Sequence, residues 1–266
     1  MASFAIIIPA RYASTRYPGK PLVRLRGAGG VAKSLIQRSW ECASAVPGCA
    51  GVWVATDDER IAAEVERFGG RVVRTSPDRP NGTERCADAI GHLGDVAEVI
   101  VNLQGDAPLS PASVVEQLVS RLDADPEALM ATPAVPCSAS TYRHLGRDGA
   151  EGRVGGTTVV FNSAQRALYF SKRIIPYLPS HRVQDVAPVH LHLGLYAYRL
   201  SALECYRNAP PSELERLEGL EQLRFLELGL PVSIVPIESM SWDPIELNNP
   251  SDVEAIERVL AERGIQ

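Results

Sequence analysis

The stretch Phe4-Ala5-Ile6-Ile7-Ile8, which runs directly into Pro9-Ala10-Arg11-Tyr12-Ala13-Ser14-Thr15-Arg16-Tyr17-Pro18-Gly19-Lys20, decides the fold predicted for this chain. A short, uninterrupted apolar run is typical of a strand that is buried in a parallel sheet. The loop that follows it carries the cations Arg11, Arg16 and Lys20 and two hydroxyls. Ligands of open α/β sheets bind outside the carboxyl ends of the strands. We therefore expect this loop to bind phosphates; a solvated turn with scattered basic residues is the alternative.

Composition limits the classes of protein to consider. A chain of 266 residues allows one large α/β domain or two unequal ones. The net charge of −5 argues against non-specific binding of nucleic acid. Without an apolar run of 18 residues or a secretion signal, no association with a membrane is expected. Five cysteines without a Cys-x-x-Cys pair are typical of reduced thiols in the cytoplasm and predict no zinc site.

Strands and helices alternate in the first half of the sequence. Strands are predicted at 4–8, 51–55, 72–73 and 98–103, and helices at 31–45, 56–68, 83–93 and 111–122. This alternation predicts an α/β fold with a doubly wound, mostly parallel sheet.

The second half has a different pattern. Strands are predicted at 130–135, 157–161, 167–170, 190–198 and 232–235. The polar segment between the first two of them and residues 176–188 are predicted to be loops. An amphipathic helix is expected from Leu214 to Leu228, and a C-terminal helix from Pro250 to Glu262 with Asn249 as its cap.

Two segments near the expected sheet edge have residues suited to binding. Asp106 follows a strand, so its carboxylate could hold Mg²⁺ beside bound phosphates, or it could simply form a turn. Residues 81–85, Asn-Gly-Thr-Glu-Arg, offer a helix N-terminus with a free hydroxyl for a base, ribose or phosphate. The alternative is a capped helix start without a ligand.

Two further pairs lie in the second half. His190 and His192 share one face of a strand, which favours one packed histidine and one that faces a site. Glu221 and Gln222 lie between leucines in the predicted amphipathic helix, so one of the two must lie near its apolar face.

Together these segments resemble the CMP-Kdo synthetases, the 3-deoxy-manno-octulosonate cytidylyltransferases. The similar segments are IIIPARYASTRYPGKPL at 6–22, VATDDERIAAEV at 54–65, NGTER at 81–85, LQGDAPLSP at 103–111, ALYFSKRIIPY at 167–177, HLGLYAYR at 192–199 and LERLEGLEQLR at 214–224. The resemblance implies one cytidylyltransferase domain over 1–266: a nucleotide-binding core at 1–125, an acceptor-binding and dimerisation region at about 130–210, and a return to the core at 211–266. It also implies a cytoplasmic homodimer that transfers CMP from CTP to a small acidic acceptor with Mg²⁺ as cofactor.

The resemblance assigns roles to individual residues. It implies Arg11, Lys20 and Asp106 as catalytic residues, and Asp106 and Asn248 as metal ligands. The nucleotide would contact Ala10, Arg11, Ser14, Arg16, Lys20, Asn81, Gly82, Thr83, Arg85 and Gln104. The acceptor would contact Gln104, Lys172, His192, Tyr196, Glu221 and Gln222.

The sequence departs from the family pattern on the acceptor side. Asn248 stands where the family has a metal-binding aspartate, and Asp243 or Glu246 could supply the missing carboxylate. Lys172 stands where an arginine is common, which removes a two-pronged contact to a carboxylate. The acceptor is therefore expected to be Kdo or a related sugar acid of lipopolysaccharide biosynthesis, or a phosphonate such as phosphonoformate. A non-catalytic nucleotide-binding protein is the remaining alternative.

Overall fold

The computed structural model describes residues 2–13, 17–94, 96–179, 181, 185–238 and 245–266. One half of its main sheet is parallel. Strand β1 (Phe4–Pro9) is buried along its whole length and lies between two parallel neighbours, β4 and β6. The strands of this half are β5 (Arg71–Arg74), β4 (Cys49–Thr56), β1 and β6 (Val99–Leu103), in that spatial order. A separate hairpin joins β2 (Arg24–Arg26) to β3 (Ala32–Ser34).

The other half of the sheet is mainly antiparallel. Its strands are β7 (Met130–Pro136), β8 (Thr157–Phe161), β9 (Ala167–Ser171), β10 (His190–His192), β11 (Leu195–Arg199) and β12 (Val232–Pro236). Strand β11 joins the halves, because it pairs antiparallel with both β6 and β7. Strand β12 pairs parallel with β7. The predicted α/β class is thus confirmed, and the central sheet is mixed, with its parallel half around β1.

Helices cover the sheet and enclose two apolar cores. The helices are α1 (Leu35–Ser44), α2 (Glu59–Arg67), α3 (Gly82–Leu93), α4 (Ala112–Ala124), α5 (Ala139–Ala150), α6 (Leu200–Asn208), α7 (Glu213–Glu218), α8 (Gln222–Glu227) and α9 (Asp252–Glu262). Alternate residues of β1 divide between the cores, since Ile6 and Ile8 lie in one and Ile7 lies in the other. None of the helices in the described ranges is both long and apolar enough to cross a membrane.

The expectations about secondary structure are wrong in four respects. The segment predicted as a loop after β7 forms α5, which Ser138 caps by accepting from the backbone N–H of Thr141. The helix predicted from Leu214 to Leu228 is divided into α7 and α8, because Gly219 adopts φ 61° and ends α7. The strand predicted over 190–198 is interrupted between β10 and β11.

The fourth respect is the residue at which two of the helices begin. Ser34 caps α1, so the first residues of the predicted helix at 31–45 belong to β3. Ser251 rather than Asn249 occupies the N-cap position of α9. The backbone N–H groups of Asn248 and Asn249 instead donate to the carboxylate of Asp252, at 2.9 and 2.7 Å.

Candidate active site

A polar cleft of about 220 Å³ opens at the carboxyl ends of β1 and β6. The loop after β1, the loop after β6 and the N-terminus of α3 form its walls. Its lining residues are Pro9, Ala10, Arg11, Lys20, Pro21, Leu35, Arg79, Pro80, Asn81, Gly82, Arg85, Gln104, Gly105 and Asp106. The sheet edge predicted to bind a ligand therefore carries this cleft.

An ion pair between Lys20 and Asp106 lies in the cleft. Their side chains are 15% and 21% exposed. The ammonium of Lys20 also donates to the backbone carbonyl of Leu247 at 3.1 Å, and the N–H of Leu247 donates to the carbonyl of Asp106 at 2.9 Å. The segment that contains Glu246 and Asn248 is thereby anchored beside Asp106.

Arg11 and Arg85 also line the cleft. Arg11 is exposed and donates from Nη1 to the carbonyl of Pro80 at 3.0 Å. Arg85 is buried, pairs with Asp57 at 2.7 Å and donates to the hydroxyl of Thr75 at 2.6 Å. Arg85 is thus fixed by protein partners, whereas Arg11 is accessible to a ligand.

The N-terminus of α3 differs from the prediction. Asn81 caps the helix, because its side chain accepts from the N–H of Glu84 at 2.7 Å. Thr83 is fully buried; its hydroxyl lies 2.8 Å from that of Tyr198, and its N–H donates to Glu221 at 2.7 Å. The expected free hydroxyl is therefore wrong, although Asn81 and Gly82 line the cleft as predicted.

Four of the residues predicted to contact the acceptor lie within the antiparallel half. We call them the polar layer: His192, Tyr196, Glu221 and Gln222. The hydroxyl of Tyr196 donates to Gln222 at 3.4 Å, and the ring of His192 packs beside that of Tyr196. Nε2 of His192 lies 2.9 Å from the hydroxyl of Thr132. Burial lowers the pKa of His192 to about 3, so this imidazole is neutral near pH 7. Burial likewise raises the pKa of Glu221.

Lys172 follows β9 and lies against the break between α7 and α8. Its backbone N–H donates to Glu218 at 2.9 Å, and a Cβ added at Gly219 would be 2.8 Å from its Nζ. Both histidines are packed, His190 against the ring of Phe161 and His192 against the rings of Phe170 and Tyr196, and neither lines the cleft, so a site-facing histidine stays a prediction.

Some site residues were not found from the sequence. Arg79 and Pro80, in the segment between β5 and α3, line the cleft and were not predicted as site residues. Asn102 is fully buried beside Gln104, and its amide oxygen accepts from Gln104 Nε2 at 3.1 Å. An Asn two residues before a Gln, in a strand of otherwise apolar residues, was the available signal.

The residues present fit a magnesium ion that is bound mainly by substrate phosphates. Asp106 supplies one carboxylate in the cleft, and the amide of Asn248 lies on the anchored segment, 3.4 Å from Glu246. Across the described ranges there is no cluster of three or more His, Cys, Asp and Glu side chains for a metal. Mg²⁺ characteristically uses one or two protein carboxylates plus phosphates. Ser14, Arg16 and Asp243 lie outside the described residues.

The chain is similar in sequence to known cytidylyltransferases. The model of the Cytidylyltransferase family matches residues 5–234. The chain is 43% identical over 262 residues to a 3-deoxy-manno-octulosonate cytidylyltransferase of Maricaulis maris (strain MCS10), covering 98% of each chain. It is 40% identical over 258 residues to an 8-amino-3,8-dideoxy-manno-octulosonate cytidylyltransferase of Shewanella baltica (strain OS195), covering 96% of this chain and 98% of the relative.

Solved structures share the fold. A CMP:2-keto-3-deoxy-manno-octonic acid synthetase in complex with CTP superposes with a TM-score of 0.84 at 34% identity, covering 98% of this chain and all of that one. A cytidylyltransferase of Leptospira borgpetersenii serovar Hardjo-bovis (strain JB197) has a TM-score of 0.62 at 17% identity over 98% of this chain and 88% of its own, which shows a common fold alone. By its sequence and its structure, this chain belongs to the cytidylyltransferase family.

Proposed function

We propose that this enzyme transfers CMP from CTP to 3-deoxy-manno-octulosonate, or to its 8-amino relative, and releases pyrophosphate. The observation that carries the proposal is the convergence of Arg11, Lys20 and Asp106 on one cleft. The relatives and the CTP complex described above support the same donor and the same class of acceptor.

The donor would bind along the cationic side of the cleft. In the transfer, an acceptor oxygen forms a bond to the α-phosphorus while the bond to the bridging oxygen breaks, so pyrophosphate leaves with that electron pair. Arg11 and Lys20 are placed to neutralise the charge that develops on the leaving group. Because Lys20 pairs with Asp106, binding of the triphosphate to Lys20 would compete with this ion pair and release the carboxylate.

Asp106 would hold the magnesium ion, with Asn248 or Glu246 contributing from the adjacent segment. When bound, Mg²⁺ would offset phosphate charge and favour attack at the α-phosphorus. Glu246 would supply the carboxylate that is missing at position 248, because its Oε2 lies 3.4 Å from the side-chain amide nitrogen of Asn248.

The acceptor would bind at the end of the cleft that Gln104 lines, next to the polar layer, whose own residues do not line the cleft. Gln104 lies between the nucleotide and acceptor sides. It lines the cleft, and its Cγ is 3.7 Å from the position of a Cβ added at Gly194, the residue before β11. His192 and Tyr196 offer neutral groups for the sugar hydroxyls, while Lys172 offers a cation for the carboxylate. The phosphonate acceptor is not favoured, because the relatives are named for sugar acids.

A homodimer in the cytoplasm is part of the same proposal. All five cysteines are free thiols, which is consistent with a reducing compartment. Large apolar side chains, among them Leu168 and Leu217, are exposed by 60% and 75% and could be covered by a second copy. Light scattering would test the stoichiometry.

The reaction is tested by incubating the protein with CTP, Mg²⁺ and pyrophosphatase and measuring phosphate release. The acceptors in parallel reactions are 3-deoxy-manno-octulosonate, its 8-amino relative, phosphonoformate and none. Rapid release with either sugar acid is expected, together with loss of activity in EDTA. Release with phosphonoformate alone would contradict the acceptor, and CTP binding without turnover in any reaction would favour the non-catalytic alternative.

A further inference from the structure

Asn102 is a polar residue in an apolar part of the central sheet. It lies on β6 with Ile7 of β1 and Tyr196 of β11 as its cross-strand neighbours, and it is fully buried. Its Oδ1 accepts from Nε2 of Gln104 at 3.1 Å. Its Nδ2 has no hydrogen-bond partner within the described part of the chain. Leaving a buried amide donor unpaired costs about 1–3 kcal/mol, so this residue needs an explanation other than stability.

The surroundings of the two amides connect both sides of the site. The N-terminus of α3 lies directly over them, because a Cβ at Gly82 would be 3.0 Å from Nε2 of Gln104 and 3.3 Å from Nδ2 of Asn102. Gln104 and Gly82 both line the nucleotide cleft. On its other side, the aliphatic part of Gln104 lies 3.7 Å from the Cβ position at Gly194, between β10 and β11. Gln104 thus lies where nucleotide and acceptor would meet.

We propose that Asn102 is a positioning residue for the transfer reaction and acts by fixing the amide of Gln104. This inference rests on the proposed function. A glutamine side chain beyond the end of a strand has rotamer freedom worth about 1.5–2 kcal/mol, which must be lost before its amide can orient a substrate. The bond to Asn102 restricts that freedom in advance and assigns the Gln104 nitrogen to the protein, so that the carbonyl oxygen is left for a substrate hydroxyl.

The position of Asn102 excludes a direct role. It is fully buried and does not line the cleft, whereas Gln104 does. Because the side-chain hydrogen bond of Asn102 is made with Gln104, its effect on the reaction is expected to pass through Gln104. A misoriented positioning group costs about 10–100-fold in rate.

The test is a double-mutant cycle with Asn102→Leu and Gln104→Met. We expect kcat with 3-deoxy-manno-octulosonate to fall about 10–100-fold in Asn102→Leu while KM for CTP stays within about 3-fold. In the Gln104→Met background, Asn102→Leu should have no further effect, because the group that it positions is already absent. The Tm of Asn102→Leu should equal or exceed that of the wild type, since the change removes an unpaired buried amide. If Asn102 were purely structural, Asn102→Leu would instead lower the Tm.

Asn102→Val provides a smaller apolar side chain in case leucine overpacks the site. Rate losses that multiply in the double variant would overturn the proposal, as would normal kcat in both Asn102 variants. A fall in Tm together with activity in both variants would also overturn it, because it would identify Asn102 as structural. Wild-type enzyme that does not turn over any acid would refute the proposed function, and this inference with it, whereas an active wild type with an unaffected Asn102→Leu variant would refute this inference alone.

Discussion

Replacing Asp106 by asparagine separates the role of this residue in catalysis from its role in the fold. The change keeps the size of the side chain and an oxygen that can accept from Lys20, and removes only the negative charge. The side chains of the ion pair are 15% and 21% exposed, which is intermediate between surface and interior. We therefore expect the free energy of unfolding to fall by about 1 kcal/mol.

The expected effect on catalysis is several times larger. If Asp106 holds the metal, the variant loses its charged ligand in the cleft, and kcat should fall at least about 10²–10³-fold, which corresponds to about 3–4 kcal/mol of transition-state stabilisation. The Mg²⁺ concentration needed for half-maximal rate should rise. Both quantities come from the phosphate-release assay at a series of Mg²⁺ concentrations, with urea unfolding of the same preparations.

Lys20→Met is the matched control, because it breaks the same ion pair from the other side. It should lower stability by a similar amount and reduce the rate, but it should leave the Mg²⁺ requirement nearly unchanged. A near-normal rate for Asp106→Asn would refute the role of Asp106. An equal change of the Mg²⁺ requirement in both variants would show that the change comes from loss of the ion pair and not from loss of a metal ligand.

Three further substitutions test neighbouring parts of the site. The folded protein keeps His192 neutral down to its pKa of about 3, whereas the unfolded chain protonates it below pH 6.5. The stability that the neutral imidazole contributes is therefore complete above pH 6.5 and is lost as the pH falls towards 3. Between pH 7.5 and pH 5, the free energy of unfolding in urea should fall by at most about 2 kcal/mol more in the wild type than in His192→Asn. Gly82→Ala should lower kcat/KM about 10-fold by pressing on the amides beneath α3, whereas Gly146→Ala, where nothing lies within 4 Å, should not. Asn248→Asp places a second carboxylate beside Glu246 and should lower the Mg²⁺ concentration for half-maximal rate; an unchanged requirement would contradict a metal-binding role for this segment.

The nucleotide side of the site could be predicted because its signals are local. The apolar run of β1 is buried at every residue, and Arg11 and Lys20, which follow it in sequence, line the cleft at its carboxyl end. Asp106 reaches the same edge because β6 is parallel to β1. Asn81 forms the cap that an asparagine before a helix usually forms.

The helix α5 could not be predicted, because long-range packing stabilises it. Its segment contains Gly146 and Gly149, which disfavour a helix. Leu145 nevertheless packs with Leu178 and Val189, residues that are distant in sequence. Tertiary contacts of this kind outweigh a weak local propensity.

The break between α7 and α8 explains why the acceptor side was harder to infer and how it is connected to the nucleotide side. A continuous helix would have placed Glu221 and Arg224 by helical periodicity alone. With the turn at Gly219, Glu221 instead accepts from Thr83 at the second helical position of α3, and Arg224 pairs with Glu84 at 2.9 Å in the same turn.

These contacts also decide how phosphates can be bound. A helix N-terminus is commonly an anion site because its first N–H groups lack partners. In α3, the N–H of Thr83 is occupied by Glu221 and that of Glu84 by Asn81, so the helix has already satisfied these donors with protein oxygens. We therefore expect the triphosphate to be held mainly by side-chain cations of the loop after β1, of which Arg11 and Lys20 line the cleft.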